Sequence, residues 1–338
     1  MTELSIVLIS RNQEWNIARL VESVLAETGS LPEVEVVLVD SASTDRTTEI
    51  ACGYPISVLK LSPGQHLSAA AGRYVGYKRT TGDLVLFLDG DMELCRGWLV
   101  KALAVMQTRP EIAVVCGKVV DRLKDYLTSS MKIQSPRIDQ PEPITTQIAG
   151  EEVLQGGGAA MYRRSILEQV GTFNPYLFAD EEPELCLRIR HAGFIVFQLD
   201  HPIAFHYSVT FHTLSNYLDK RRNKFFYGYG QNMRNFFGSR LLLSYLKERG
   251  WAIAPAILIG AGIVAAVVAI LTGQSGWIAV WIGFLFLLTL GIAIRKRSLK
   301  RALLILFLRL LILEGSIRGF ILKPCHPDGY PGKFTIIS

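Results

Sequence analysis

Two aspartates separated by one glycine, Asp89-Gly90-Asp91, stand directly after the apolar run 84–88. On an extended segment residues two apart point the same way, so both carboxylates face one point. Hard oxygen donors of this kind suit Mg²⁺ or Mn²⁺ bridging a diphosphate, where the cation offsets charge on the leaving group. Gly90 lets the backbone approach a bulky ligand. An Asp-Gly pair is also a common hairpin turn, and the motif alone does not separate the two readings. A second acidic cluster, Asp180-Glu181-Glu182-Pro183-Glu184, places Pro183 at the first position of a helix with Glu182 as its N-cap. A carboxylate there is stabilised as an anion, so Glu182 is set either to accept a proton or simply to cap; Glu184 is set for an i,i+4 pair with Arg188. Upstream, Gln155-Gly156-Gly157-Gly158-Ala159-Ala160 lets a ligand lie against backbone, without the spacing of a Walker phosphate loop.

These residues need a scaffold that gathers them at one edge. Residues 4–9, 34–39, 56–59, 84–88 and 112–115 are compact apolar runs of buried-strand type, and helical patterns cover 14–26, 44–51, 67–79 and 97–107. Strand–helix alternation predicts a doubly wound α/β sheet, whose ligands bind beyond the carboxyl ends of the strands. Residues 128–149 are rich in Pro, Ser and Gln without periodicity and are expected to form a mobile loop. Disorder is excluded: of 338 residues, 49% are hydrophobic and 20% charged. The five cysteines show no C-x-x-C spacing, which reads as reduced thiols instead of a disulfide or zinc framework. No basic segment precedes the first apolar run, so a strand is expected there and not a secretory leader.

Mean hydropathy is +0.27, and the excess sits in residues 250–294, which carry no charged side chain. As one helix this stretch would extend about 67 Å, twice a bilayer core. The Thr272-Gly273-Gln274-Ser275-Gly276 break predicts a hairpin of two spans, 251–271 and 277–294. Net charge is +6. Lys220, Arg221, Arg222, Lys224 and Arg249 precede the hairpin, and Arg295, Lys296, Arg297 and Arg301 follow it. Anionic lipid, not nucleic acid, is the expected partner of these clusters. Basic flanks on one side make that side cytoplasmic. Residues 207–249 mix aromatic and basic residues in the manner of interfacial helices. Residues 302–322 are apolar but carry Arg309, Glu314 and Arg318, and read as interfacial, with a third span as the minority reading.

Taken together, the motifs resemble a family 2 glycosyltransferase of the GT-A fold, a Rossmann-like doubly wound sheet, over residues 4–206. Segment 6–14 (IVLISRNQE) is similar to the first strand and turn of that family, 37–45 (VLVDSASTD) to the second, and 72–76 (GRYVG) to a motif that often reads ARNxG. Asp89-Gly90-Asp91 resembles its D-x-D, and 170–174 with 181–188 (EEPELCLR) resembles the acceptor-side block. The resemblance implies nucleotide-sugar contacts at Ser10, Asn12, Glu14, Asp40 (to the base), Arg73, Asp89 and Gly90. It implies a Mg²⁺ or Mn²⁺ site at Asp89, Asp91 and His206, acceptor-side contacts at Gly157, Gly158, Glu181 and Arg188, and Glu182 as general base. The implied reaction moves a sugar, with inversion, from a nucleotide diphosphate to a hydroxyl of a lipid or lipid-linked acceptor in cell-envelope synthesis, at the inner or plasma membrane. A polyisoprenyl-phosphate acceptor received by Arg221, Arg222 and Lys224 is the runner-up. A non-catalytic nucleotide-sugar sensor or transporter subunit is the rival of another class. The expected organisation is a catalytic domain over 1–206, interfacial helices over 207–249, the hairpin over 250–294 and a basic amphipathic segment over 295–338. On that modular reading, a cut near Leu246 spares every donor and metal ligand.

Overall fold

The computed structural model describes residues 3–123, 148–208 and 213–338. It divides into two compact units, Met1–Phe211 with Cys325–Ser338, and His212–Pro324.

In the first unit β1 (Leu4–Ser10) is followed by α1 (Ile17–Thr28), β2 (Val34–Asp40), α2 (Thr47–Ala51), β3 (Ser57–Leu61), α3 (Ala69–Arg79) and β4 (Leu84–Asp89). After these come β5 (Met92–Leu94), α4 (Trp98–Thr108), β6 (Ile112–Leu123), β7 (Gly150–Glu152), β8 (Ala160–Arg163), α5 (Arg164–Val170), α6 (Glu181–His191) and β9 (Ile195–Ser208). A last strand, β10 (Phe334–Ile336), lies in the returning tail. The ten strands form one mixed sheet in the order β10-β3-β2-β1-β4-β8-β6-β9-β5, with β7 on β9. Strands β3, β2, β1 and β4 run parallel, and β8 is antiparallel to both its neighbours.

The parallel centre follows from sequence. Every residue of β1 is buried, because helices cover both faces and demand a near-continuous apolar run. Alternate side chains supply two cores: Ile6 and Leu8 pack with α1 and α4, and Val7 and Ile9 pack with α3 and α6. In α1 the buried positions Ile17, Leu20, Val21, Val24 and Thr28 trace one helical stripe. Helix α3 differs: residues 70–77 are buried all round, and it approaches β1 so closely that a methyl on Gly76 would overlap Val7 Cγ1. The expected strands and helices are all present. Helix α2 starts at Thr47 instead of residue 44 because Asp45 ties up the Thr47 N–H (3.0 Å) and hydroxyl (2.5 Å) in a turn. Of the expected loop 128–149, residues 128–147 lie outside the described residues.

The second unit holds α7 (Leu214–Arg222), α8 (Tyr227–Asn235), α9 (Leu241–Arg249), α10 (Ala254–Thr272), α11 (Gly276–Lys296) and α12 (Leu299–Ile321). Helices α10 and α11 are long and apolar enough to cross a membrane, and α11 buries no residue within the protein. Helix α12 lies backbone to backbone on α8. A Cβ on Gly230 would strike the Ser316 carbonyl, and one on Gly319 would strike that of Tyr227. Its opposite side leaves Leu303, Leu310, Ile317 and Ile321 exposed. The structure divides segment 295–338, which the sequence leaves whole. Residues 325–338 belong with the first unit, and the signal was missed because β10 is only three residues long.

The Gly76 contact is testable. Gly76→Ala overpacks α3 on β1 at a cost of about 1–3 kcal/mol, expected to lower the melting temperature by about 2–10 °C. Scanning fluorimetry reads it, and an unchanged melting temperature shows slack between α3 and β1.

Candidate active site

Parallel register sets Ser10 opposite Asp40 and Ile9 opposite Asp89, so β1, β2 and β4 finish level at their carboxyl ends. That edge is where an open α/β sheet leaves its ligand crevice. The loops after β1 and β2 are laced to each other across it. Asp40 is wholly buried and accepts from the Ser43 N–H at 2.8 Å and from the Ser43 hydroxyl. Ser43 Oγ accepts from the Asn12 N–H at 2.8 Å, and Asn12 Oδ1 accepts from the Thr44 N–H at 2.9 Å. Glu14 donates its N–H to Asp45 (3.1 Å) and accepts from the Arg46 N–H (3.0 Å). Asn12 holds a left-handed backbone at φ 55°, a conformation asparagine tolerates better than most residues.

Beneath the end of β4 lies Arg73, with 1% of its side chain exposed. Nη1 donates to Glu181 Oε1 at 2.7 Å; Nη2 donates to Asp89 Oδ1 at 2.7 Å and to the Gly158 carbonyl at 3.3 Å, and forms an ion pair with Glu182 Oε1 at 2.9 Å. One cation thus faces three carboxylates, a formal surplus of two negative charges. A planar guanidinium with five donors can serve such a set, whereas an ammonium cannot fork in this way. Burial pushes the Asp89 carboxyl up to about 7; Arg73 opposes the shift, and Asp91 and Glu182 add to it. Burial, reinforced by Glu182 and opposed by Arg73, pushes Glu181 up to about 8. Glu182 is the more accessible glutamate, with 15% of its side chain exposed against 5% for Glu181.

Asp91 stands in the turn between β4 and β5. Asn16 fixes that turn, donating from Nδ2 to the carbonyls of Gly90 (3.0 Å) and Met92 (2.8 Å). His206, opposite Met92 in the β5–β9 pairing, holds Asp91 Oδ2 through Nε2 at 3.3 Å and Asp121 Oδ1 through Nδ1 at 2.8 Å. The bond to Asp91, then that to Asp121, raises the imidazole to about 9 against its partial burial, so both nitrogens donate at neutral pH. The carboxylates of Asp89 and Asp91 are hard donors beside a negative surplus, which suits a divalent cation. Among the described residues, however, no three potential ligands converge. His206 stands beside Asp91 as its hydrogen-bond partner.

Residues 5–171 match the family described as Glycosyl transferase family 2. The chain carries a family 2 glycosyltransferase domain. It is 26% identical over 218 residues to an uncharacterised glycosyltransferase of Haemophilus influenzae, covering 62% of this chain and 69% of that one. It is 23% identical over 195 residues to the glycosyltransferase AglE of Haloferax volcanii, covering 56% of this chain and 62% of the relative. Among solved structures, the mannosyltransferase PcManGT of Pyrobaculum calidifontis superposes with a TM-score of 0.61 at 15% identity, over 95% of this chain and 87% of that one. The fold is that of GT-A glycosyltransferases, and the chain is a transferase.

Within this glycosyltransferase several expected roles change. Pro183 is the third residue of α6, not the first, and the N-cap is Asp180 in a left-handed conformation at φ 62°. Glu182 therefore lies inside the first turn, turned to Arg73. Glu181 and Arg188, expected as acceptor-side contacts, are engaged within the protein. Glu181 is buried against Arg73, and the Arg188 guanidinium is used up on Glu184 and the carbonyls of Val170, Gly171 and Thr172. Gly90 is required by the protein itself, since a Cβ there would sit 2.9 Å from Gln13 Cγ and 3.0 Å from Ser10 Cβ. A Cβ on Gly158 would stand 2.5 Å from Asp89 Oδ2, whereas Gly157 has open space and a φ of 72°. Arg73 is sealed beneath the site as its organiser. Asn16 and Asp121 were missed; the only trace of Asn16 is its place just before the first apolar position of α1.

The raised Glu181 carboxyl links stability to pH. The folded protein keeps a proton that the unfolded chain releases near its ordinary 4.5, so this contribution is present at low pH and is lost as pH rises through about 8. Glu181→Gln, neutral throughout, is expected to flatten the decline of melting temperature over that window in metal-free buffer. An unchanged slope by scanning fluorimetry contradicts the linkage.

Proposed function

We propose that this glycosyltransferase moves a sugar, with inversion, from a nucleotide diphosphate to a hydroxyl of a membrane-borne lipid or lipid-linked acceptor. The observation that carries the reading is the pairing of an accessible glutamate, Glu182, with the Arg73 cluster at the carboxyl edge of the sheet, where Asp89 and Asp91 also end. Glu182 takes the proton of the acceptor hydroxyl as that oxygen attacks the anomeric carbon and the nucleotide diphosphate departs. Arg73 keeps the Glu182 carboxylate aimed and holds Asp89 through Oδ1, while Asp89 Oδ2 lies against Gly158. Asn16 and His206 hold Asp91 still. Asp91 and Asp89 are the residues that would hold Mg²⁺ or Mn²⁺, which when bound would offset charge on the diphosphate. PcManGT, a protein of the same fold, was solved with GDP-Man and Mn²⁺, which supports a nucleotide-diphosphate donor and a divalent cation here. The laced loops bearing Ser10, Asn12, Glu14 and the buried Asp40 form the floor on which the nucleotide lies.

The two apolar helices and their basic flanks support a multi-pass anchor in a cell membrane, with anionic headgroups on the cytoplasmic side and the catalytic unit facing the same compartment. A hydroxyl acceptor is favoured over a lipid phosphate. A phosphate needs no base, and Arg221, the first cation assigned to receive it, is already paired with Glu314 through two contacts of 3.0 Å.

Full-length protein in nanodiscs, given a panel of nucleotide sugars with Mn²⁺, tests the reading by label transfer to membrane extract. Glu182→Gln is expected to cut kcat by about 10²–10⁴ while nucleotide affinity holds. Full transfer by this variant overturns the base assignment; full transfer in excess chelator overturns the cation.

A further inference from the structure

After α12 the chain rejoins the catalytic unit, and its tail is tied there by backbone. The β10 strand pairs antiparallel with β3, and Ser62 donates its N–H to the Lys333 carbonyl at 2.9 Å. Gln65 clasps Lys333 from both sides, accepting its N–H at 3.0 Å and donating to its carbonyl at 2.6 Å. Further on, the Val58 N–H donates to the Ser338 carbonyl, and the Ile337 N–H to the Val58 carbonyl, each at 2.9 Å.

One side chain of the tail enters the core. Tyr330 is 6% exposed, and its hydroxyl donates to the His66 carbonyl at 2.6 Å. Its ring stands edge-on to Tyr74 at 6.0 Å and to Tyr176 at 5.6 Å. Tyr74 follows Arg73 on α3; Tyr176 belongs to the segment that runs into Asp180 and α6. The same two elements are joined next door. Ser68 caps α3 by accepting the Ala71 N–H at 3.1 Å and donates to the Pro175 carbonyl at 3.4 Å. The His66 ring meets Phe178 edge-on at 4.6 Å. Arg73 on one element and Glu181 with Glu182 on the other are the two poles of the buried ion cluster. Tyr330 is the point where the tail touches both elements at once.

We propose that Tyr330 is a positioning residue of the transfer reaction: wedged between α3 and the segment entering α6, it sets the Glu182 carboxylate on Arg73 for proton acceptance. This rests on Glu182 acting as the base. It also departs from the modular expectation, since a cut near Leu246 removes Tyr330 along with the membrane helices. An aromatic ring packed edge-on against two others is a stiff spacer with a directional contact energy, and an error of about 1 Å in a reacting group costs on the order of 10² in rate.

A four-variant cycle in the full-length protein tests it: wild type, Tyr330→Ala, Glu182→Gln and the double variant. Nucleotide affinity is read with UDP and with GDP in Mn²⁺. Tyr330→Ala is expected to lower kcat by about 10–100-fold with nucleotide affinity unchanged, and by less than about twofold when Glu182→Gln is already present. Equal losses in both backgrounds overturn the proposal, as does an unchanged kcat. A kcat loss that comes only with a parallel loss of nucleotide affinity and melting temperature makes Tyr330 structural and also overturns it. If Tyr330→Ala does not fold, Tyr330→Phe keeps both ring contacts and drops only the bond to His66. Its expected fall in kcat is about 2–10-fold, again absent beside Glu182→Gln, and additivity there overturns the proposal too. Should Glu182→Gln by itself retain full kcat, the base assignment fails, and that outcome is separate from any result at Tyr330.

Discussion

A single guanidinium sealed beneath the sheet edge sets the terms for the rest of the site. Arg73 has nowhere to place its charge except on Asp89, Glu181 and Glu182, so the end of β4 and the start of α6 must arrive at it together. Removing one partner from a buried ion pair costs about 3–5 kcal/mol, because the remaining charge is stranded away from water. That penalty disciplines the neighbours. Gly158 has no room for a side chain beside Asp89 and Arg73. Helix α3 carries Gly72 and Gly76 on its β1 side, which lets it lie deep enough to deliver the arginine. The surplus of carboxylates is the opposite of what stability alone would select, the kind of departure expected at a functional site.

The sheet contributes alignment. With Ser10 level with Asp40, and Ile9 with Asp89, the loops that follow the strands start from one line. Their own polar side chains then lace them, so Asp40 and Asn12 are committed to shaping the floor as much as to any ligand. The hairpin carrying Asp91 is fixed from the far side by Asn16, and from β9 by His206. Each acidic group at the edge is therefore aimed by a neighbour on a different element, the arrangement that keeps a reacting geometry from relaxing.

Much of this was legible in the sequence, and what escaped has physical causes. Buried parallel strands announce themselves as apolar runs, so β1 to β4 and the start of β6 were readable. The antiparallel half was not. Strands β5, β7 and β10 have three residues each, too few for a period of two to show. The acidic block 180–184 was visible as a helix start, yet Pro183 suggested the wrong first residue, because Asp180 takes a left-handed conformation that composition does not reveal. Arg73 was placed in the site but on its ligand-facing side; no pattern within GRYVG says that the arginine points into the protein. Asn16 and Tyr330 act through contacts across 74 and 264 positions of chain, which local spacing cannot encode.

The two long apolar helices lie within one unit, while the chain on either side of that unit belongs to the other. The apolar helices are thus interleaved in sequence with the unit that carries Arg73, and Tyr330, from beyond them, packs on Tyr74 next to Arg73 in the chain. Arg73→Lys tests that geometry most directly, since it keeps the positive charge and removes the fork that reaches three carboxylates and the Gly158 carbonyl. The measurement is kcat for sugar transfer by the full-length variant, with circular dichroism to show that the fold persists. The account predicts a loss of at least about 10²-fold that added Mn²⁺ does not restore; transfer within about threefold of wild type, well short of one such misplacement, would contradict it.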